Sequence, residues 1–304
     1  ETPEELEAAR KAAEAQGETF RYSGAGRDIP KAESDRRPAA GEPFVLRLKM
    51  PDEPIVVDDV VQGRAEFPAG ALDDFVLTRS DGHPLYHFSV CVDDVAMGIT
   101  HVIRGVDHLA NTPKHVALFR ALGAEAPKFA HLGMILGPDG KKLSKRHGAA
   151  GAEEFRAQGL LPEALVNFLA LLGWSPGEDR ERMSLAEMVE LFSIDRIGKT
   201  NPKFDREKLL AFNTDFLGTA APERLMSAYE DFLAVNTESV IAGARPDAVT
   251  RGELLRVCKG FRTFPDIDAK AGFIFRDDTA VTYDPAAVQK VWIGTGRRSG
   301  MRPR

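Results

Sequence analysis

The chain has 304 residues, 43% of them hydrophobic and 28% charged, a composition that supports two or more hydrophobic cores and excludes a disordered polypeptide. No run approaches the roughly eighteen uncharged apolar residues of a membrane span, and the start, Glu1-Thr2-Pro3-Glu4-Glu5-Leu6, is neither basic nor apolar, so a cytoplasmic chain without a membrane partner is expected. The net charge of −6 excludes a uniformly basic binder but leaves room for a local basic surface, because Lys and Arg concentrate over residues 141–147 and again at Arg297, Arg298, Arg302 and Arg304, the last group reading as a solvated tail.

In chain order, Thr2 stands as an N-cap before Pro3, Glu5 completes a capping box and Gly17 supplies a stop, which predicts a first helix. The sequence opens inside that pattern and without Met, so a missing upstream segment is expected. Residues 18–43 mix Gly, Pro, Arg and Asp without periodicity and read as a surface loop or hinge. Three or four strands are expected next: 44–48 and 55–58 are β-like runs, and 73–78 leads into the turn Ser80-Asp81-Gly82. From His83 to Gly148 the pattern predicts a strand over 86–92, a strand over 101–104, a helix from Thr112-Pro113 to Gly123 and a strand over 131–136, the rhythm of a parallel α/β sheet. Beyond residue 150 the period turns helical, with Leu165, Phe168, Leu169 and Leu172 on one face between Pro162 and Gly173, and with Ser184 and Glu187 capping a helix that runs to Phe192. Residues 148–152 read as a linker, and a second boundary is expected near Thr219-Ala220-Ala221-Pro222. Cys91 and Cys258 lie in apolar runs and read as packing residues, without a disulfide framework or a cysteine-based zinc cluster.

Several signatures fail. Gly140-Lys141 has Ile135 where a P-loop needs glycine and Lys142 where it needs Ser or Thr. Gly24-Ala25-Gly26 and Gly294-Thr295-Gly296 lack the third glycine of a dinucleotide fingerprint, with Ile29 and Ser299 in its place. Pro84 stands between His83 and His87 where a zinc-protease helix carries its glutamate, so a turn is the better reading there. Asp93 and Asp94, on adjacent positions of the expected strand, would face opposite sides and cannot act as paired carboxylates. The segment that survives is Gly137-Pro138-Asp139-Gly140-Lys141-Lys142-Leu143-Ser144-Lys145-Arg146-His147-Gly148, a basic, turn-rich loop after an apolar run. Ammonium groups on flexible stems follow moving charge on a polyphosphate, and the glycines let the loop reshape around it; a solvated charge run is the plain alternative.

Within that loop, Lys142-Leu143-Ser144-Lys145-Arg146 is similar to the second signature of class I aminoacyl-tRNA synthetases. Its flanks, among them Leu72-Asp73-Asp74-Phe75-Val76-Leu77, Met97-Gly98-Ile99-Thr100-His101-Val102-Ile103-Arg104-Gly105, Asn111-Thr112-Pro113 and Gly173-Trp174-Ser175, resemble the bacterial glutamyl-tRNA synthetase family in order and spacing, firmly over 44–216. The resemblance implies an α/β plus α fold: the second half of a Rossmann-type catalytic domain with part of an inserted acceptor-stem domain, followed by helical regions. Residues 1–83 would be the insertion, 84–150 the half-domain, 151–218 a stem-contact region and 219–304 the start of an anticodon-binding domain. The family's other signature, of HIGH type, does not occur here and would lie upstream of Glu1, and the distal helices are expected to be missing, so the segment alone would be inactive.

The implied reaction joins glutamate to tRNA through a glutamyl-adenylate, with ATP and its Mg2+ as substrate, tRNA as partner and a monomer as the assembly. Lys145 and Lys142 would be catalytic, stabilising charge on the phosphates, within an ATP loop of Lys142, Leu143, Ser144, Lys145 and Arg146 in which Ser144 orders the loop and Arg146 either helps with phosphate or faces water. Arg104 falls where the family binds the substrate carboxylate, a role its forked guanidinium suits, with a structural ion pair to Asp107 as the alternative. Tyr86 and Asp107 would line the same pocket, Tyr86 being as readily a core residue. No zinc or other resident metal is expected, since Gly24-Ala25-Gly26-Arg27 occupies a place where some relatives carry cysteines. The alternatives are a glutaminyl-tRNA synthetase and a non-catalytic tRNA-binding module derived from a synthetase.

Overall fold

Alternation builds the first strand, β1 (Ile55–Asp59): Ile55, Val57 and Asp59 are buried on one face while Asp58 is exposed on the other. It pairs antiparallel with β2 (Gly63–Phe67) and parallel with β4 (Lys128–Leu132), which pairs parallel with β3 (His101–Gly105), giving one sheet in the order β2-β1-β4-β3. The structure is a computed structural model that describes residues 2–144, 151–277 and 284–288. These form two compact units, one of Glu1–Ile135, Gly173–Ser175 and Phe192–Pro202, the other of Leu136–Leu172, Pro176–Leu191 and Lys203–Arg304.

The sheet belongs to the first unit. Helix α1 (Pro3–Ala15) begins with the expected capping box, the Thr2 hydroxyl accepting from the Glu5 N–H at 3.2 Å while the Glu5 carboxylate accepts from the Thr2 N–H at 2.7 Å. Residues 31–39, expected as loop, form a short helix, α2 (Lys31–Ala39), which buries no side chain and carries a bidentate Glu33–Arg36 pair. The expected strand at 44–48 is a fragment: Leu77 donates to the Leu46 carbonyl and Leu48 to that of Phe75, around a single bridge between Arg47 and Val76.

Residues 86–92, expected as a strand, instead open helix α3 (Tyr86–Met97). Their aromatic and β-branched side chains suit a strand, but burial follows a helical period, with Cys91 fully enclosed and Phe88 half-buried while Val92, Val95 and Met97 stay exposed. Gly98 stops the helix in the left-handed region (φ 65°), where a side chain would be strained. Asp93 and Asp94 are therefore successive helical residues rather than strand neighbours; Asp93 is exposed, and burial pushes the half-buried Asp94 carboxyl up. Helix α4 (Thr112–Ala121) packs against α3 and β1, and Met50, Ile55, Val57, Leu77, Cys91, Leu118, Phe119 and Phe129 close the core between them.

The strand expected at 131–136 lies earlier, as β4 from Lys128, and shares only His131 and Leu132 with that expectation, because the chain turns after Leu132 against residues 200–201. A Cβ on Gly133 would lie 2.1 Å from the Thr200 carbonyl oxygen, and the next N–H, of Met134, donates to Asn201 Oδ1 at 2.7 Å. Only glycine fits there.

The second unit contains helices α5 (Ala152–Ala157), α6 (Pro162–Gly173, whose last residue belongs to the first unit), α7 (Leu185–Leu191), α8 (Arg206–Thr219), α9 (Pro222–Val235), α10 (Val240–Ala244), α11 (Ala248–Val257), α12 (Pro265–Ala271) and α13 (Pro285–Val288). Aromatic residues Phe155, Phe168, Phe204 and Phe212 pack through its interior, Phe155 stacked on Phe204 and the others edge to face, and Tyr229, Phe232 and Phe264 form a second cluster. Buried Asn213 ties the two chain directions together, accepting from the Leu161 N–H at 2.8 Å and donating to the Arg262 carbonyl at 2.6 Å. Ser184 and Glu187 cap α7 reciprocally, as the sequence pattern predicts. Both cysteines are buried and unbridged.

The close approach at Gly133 carries a testable consequence. Gly133→Ala forces the Thr200 carbonyl to move and is expected to lower stability by about 1–3 kcal/mol in urea titrations, as overpacking does elsewhere. Unchanged stability would mean that residues 133 and 200 do not meet.

Candidate functional site

Three parallel strands deliver polar side chains to one place. Asp59 is the last residue of β1, His131 stands next to the end of β4, and Arg104 stands next to the end of β3, paired in register with His131. The carboxyl ends of parallel strands are where α/β sheets bind ligands, because the loops that follow diverge and leave a crevice. The 3-10 turn Val106–Asn111 and the start of α4 close over this end and add His108, Thr112 and His115, while the first turn of α3 adds Tyr86 and His87.

The contacts form one connected network. Arg104 Nε donates to His131 Nε2 at 3.1 Å, Nη1 donates to His115 Nδ1 at 3.3 Å, and Nη2 donates to the Thr112 hydroxyl at 3.0 Å and to the His108 carbonyl at 3.4 Å. His131 Nδ1 meets Asp59 Oδ2 at 2.5 Å, and Asp59 Oδ1 accepts from the backbone N–H groups of Val61, Gln62 and His131. His115 Nε2 lies 3.0 Å from His87 Nδ1. The His131 ring stacks on Phe129, over which the Arg104 guanidinium also sits at 5.8 Å. Asp59, Thr112, His115 and His131 are all buried, and Arg104 is half-buried.

An arginine can only donate, and this fixes the protons of the network. His131 must present a lone pair at Nε2, so its proton is on Nδ1, facing the Asp59 carboxylate. His115 must present a lone pair at Nδ1, so its proton is on Nε2 and is given to His87, which then carries its own on Nε2. Desolvation first, and then the positive Arg104, pushes His115 down to about 3. Burial likewise lowers His87 and, against the pull of Asp59, His131. Asp59 is itself held low: its backbone donors and His131 together outweigh its burial, so the carboxyl is ionised.

The residues expected from the sequence divide between the units. In the first, Tyr86 opens α3 with its ring 6.3 Å from that of His115 and 53% exposed, so it borders the network rather than filling the core. Asp107 is exposed on the 3-10 turn just after Arg104. The contacts of Arg104 among the described residues run to His131, His115, Thr112 and the His108 carbonyl. In the second unit, residues 136–142 form a tight antiparallel turn: Gly137 donates to the Lys141 carbonyl at 2.8 Å, Gly140 has a φ of 74°, and Asp139 Oδ1 accepts from the Lys141 N–H at 3.0 Å. Leu136 bridges to Lys142 on one side and Lys203 on the other, so the basic segment starts from a fixed base. Lys142 and Ser144 are exposed and Leu143 is half-buried; Lys145 and Arg146 lie outside the described residues.

Sequence reasoning missed Asp59, His87, Thr112, His115 and His131. His131 was the one with a local signal, a histidine set in the apolar strand Phe129-Ala130-His131-Leu132, where an unpaired imidazole would be costly. Among the described residues no cluster of His, Cys, Asp or Glu is arranged to hold a metal ion.

Buried neutral imidazoles make stability depend on pH. Unfolded, each takes up a proton near its ordinary value of 6.5; folded, it does so only at lower pH. Stability is therefore full above about pH 6.5 and declines as the pH falls from there toward the lowered folded value, at up to about 1.4 kcal/mol per pH unit for each histidine. His115→Gln, which keeps an acceptor for Arg104, is expected to remove about one proton from that dependence between about pH 6 and about pH 4 in urea titrations. An unaltered slope would show that His115 is protonated in the folded chain.

The model of the family described as tRNA synthetases class I (E and Q), catalytic domain, matches residues 1–211. A glutamate–tRNA ligase from Desulforudis audaxviator is 40% identical over 294 residues, covering 95% of this chain and 58% of that protein. A glutamate–tRNA ligase from Heliobacterium modesticaldum is 47% identical over 225 residues, covering 74% of this chain and 45% of its own length. The crystal structure of a glutamate tRNA ligase from Elizabethkingia meningosepticum, in complex with its amino acid, superposes with a TM-score of 0.80 at 33% identity, over 96% of this chain and 62% of that one. The chain thus spans less than two thirds of the length of these relatives. Because the family model extends over more than half of the residues, and the structural likeness continues through the helices beyond it, the chain belongs to the class I tRNA synthetases of the E and Q type, through their catalytic domain.

Proposed function

We propose that the complete protein of which this chain is a part attaches glutamate to tRNA, forming a glutamyl-adenylate from glutamate and ATP before transfer to the terminal ribose. The observation that carries the reading is Arg104, a cation held by neutral acceptors at the carboxyl end of a parallel strand, in a chain whose similar relatives are named glutamate–tRNA ligases. Its guanidinium offers donors only, which suits the two oxygens of glutamate's side-chain carboxylate better than the amide of glutamine, whose NH2 group the guanidinium cannot accept from. That preference argues against the glutaminyl alternative. Tyr86 and Asp107 border the same amino-acid pocket in this reading.

The phosphates of ATP, with the Mg2+ that accompanies them as substrate, fall to the basic segment. Lys142 and Lys145 supply mobile positive charge as it shifts from the α-phosphorus to the departing pyrophosphate, Ser144 orders the segment, and Leu143 and Arg146 complete it. The turn from Leu136 to Lys142 supports this assignment, since it gives the flexible stems a fixed starting point. The reading includes tRNA as partner, a monomer as assembly and the cytoplasm as location. A non-catalytic tRNA-binding module has less support, because it gives no reason for a braced cation at the strand ends.

Amino-acid-dependent exchange of pyrophosphate into ATP by the full-length protein tests the reading. Exchange is expected with glutamate and not with glutamine, and Lys145→Ala is expected to lower it ~10²–10³-fold while tRNA affinity is retained. Exchange that follows glutamine, or a Lys145→Ala variant that loses tRNA binding and exchange to the same degree, would overturn it.

A further inference from the structure

Asp59 is the carboxylate of the Arg104 network, yet it does not touch the guanidinium. Its Oδ1 is occupied by three backbone N–H groups and its Oδ2 by His131 Nδ1, so a carboxylate with about four acceptor positions is filled before arginine is reached. What reaches arginine is the far side of the imidazole. His131 Nε2 and His115 Nδ1 approach the guanidinium on different nitrogens, Nε and Nη1, each with a lone pair, and Thr112 takes Nη2.

We propose that His131 and His115 are positioning residues that brace the Arg104 guanidinium through ring-nitrogen lone pairs, and that Asp59 acts on Arg104 only by way of His131. The inference rests on the reading that Arg104 receives the carboxylate of the substrate. A directly paired carboxylate would cancel the arginine's charge and compete with an incoming anion, whereas neutral imidazoles fix its plane and leave that charge available. Asp94, on α3, also feels the charge of Arg104, but burial is the larger influence on its carboxyl and pushes it up. The bracing also selects an approach. Nε is closed by His131, and the longest contact is the 3.4 Å one from Nη2 to the His108 carbonyl, so an anion binds end-on, through the remaining Nη1 hydrogen and by displacing that carbonyl from Nη2.

Such a brace acts on ground-state binding of one substrate, so it separates from a general structural role in kinetics. In the full-length protein, His131→Gln breaks the link to Asp59 and is expected to raise KM for glutamate about tenfold, leaving kcat and KM for ATP within about twofold. His115→Gln, whose Oε1 can stand in for Nδ1, is expected to lose less than His115→Ala. Equal changes in both KM values, or an unchanged glutamate KM in His131→Gln, would overturn the proposal. Should the variants fold poorly, 15N spectra of the wild-type histidines at about pH 7 decide it: His131 is expected as the Nδ1–H tautomer and His115 as the Nε2–H tautomer, and the reverse for either removes the brace. Arg104→Lys separates the brace from the substrate reading. A glutamate KM that does not rise in that variant, beside the expected tautomers, would sink the substrate assignment and leave the brace standing.

Discussion

The site end of the first unit depends on one buried contact, that of the Asp59 carboxylate with His131 Nδ1. Both side chains are fully enclosed, and an unpaired charge in that position would cost several kcal/mol. The contact is tolerable because three backbone N–H groups complete the carboxylate's shell and because the imidazole passes its polarity on to Arg104 rather than stopping in hydrocarbon. Each member satisfies the next: the carboxylate orients His131, His131 and Thr112 receive Arg104, Arg104 sets the proton of His115, and His115 donates to His87. A network closed in this way tolerates burial that none of its members would tolerate alone.

The fold supplies the coincidence that makes the network possible. Asp59, His131 and Arg104 come from three strands separated by long stretches of chain, and parallel pairing brings their carboxyl ends level. The packed helices α3 and α4 then add the histidines from above, with Cys91 and Phe119 in the core beneath them. The turn at Gly133 ends β4 at Leu132, so His131 stays within the strand and keeps its register with Arg104.

The basic segment follows a different logic. Its support is local, a tight turn closed by Gly137, Asp139 and Gly140, and Lys141 and Lys142 on it are exposed. In the proposed reading this division suits the chemistry: recognition of a small carboxylate needs a rigid cation, while charge moving along a triphosphate needs stems that can follow it.

Residue order by itself determined the parts of this protein whose physics is local. The capping boxes at Thr2–Glu5 and Ser184–Glu187, the amphipathic helix from Pro162 to Gly173, the strand carrying Arg104 and the turn-rich basic segment were all readable, because each depends on neighbours a few positions away. Local patterns also misled where two physical causes produce the same composition. The aromatic and β-branched run at 86–92 is helical because its burial has to match α4 and the sheet, and residues 31–39 form a helix that no apolar face announced. Only the tertiary structure decided which histidines matter. Asp59 and His131 are 72 positions apart and Arg104 and His131 are 27 apart, so their hydrogen bonds leave no trace in spacing. They exist because parallel strands align distant residues in a space from which water is excluded, and there an arginine's obligation to donate settles where every proton must sit.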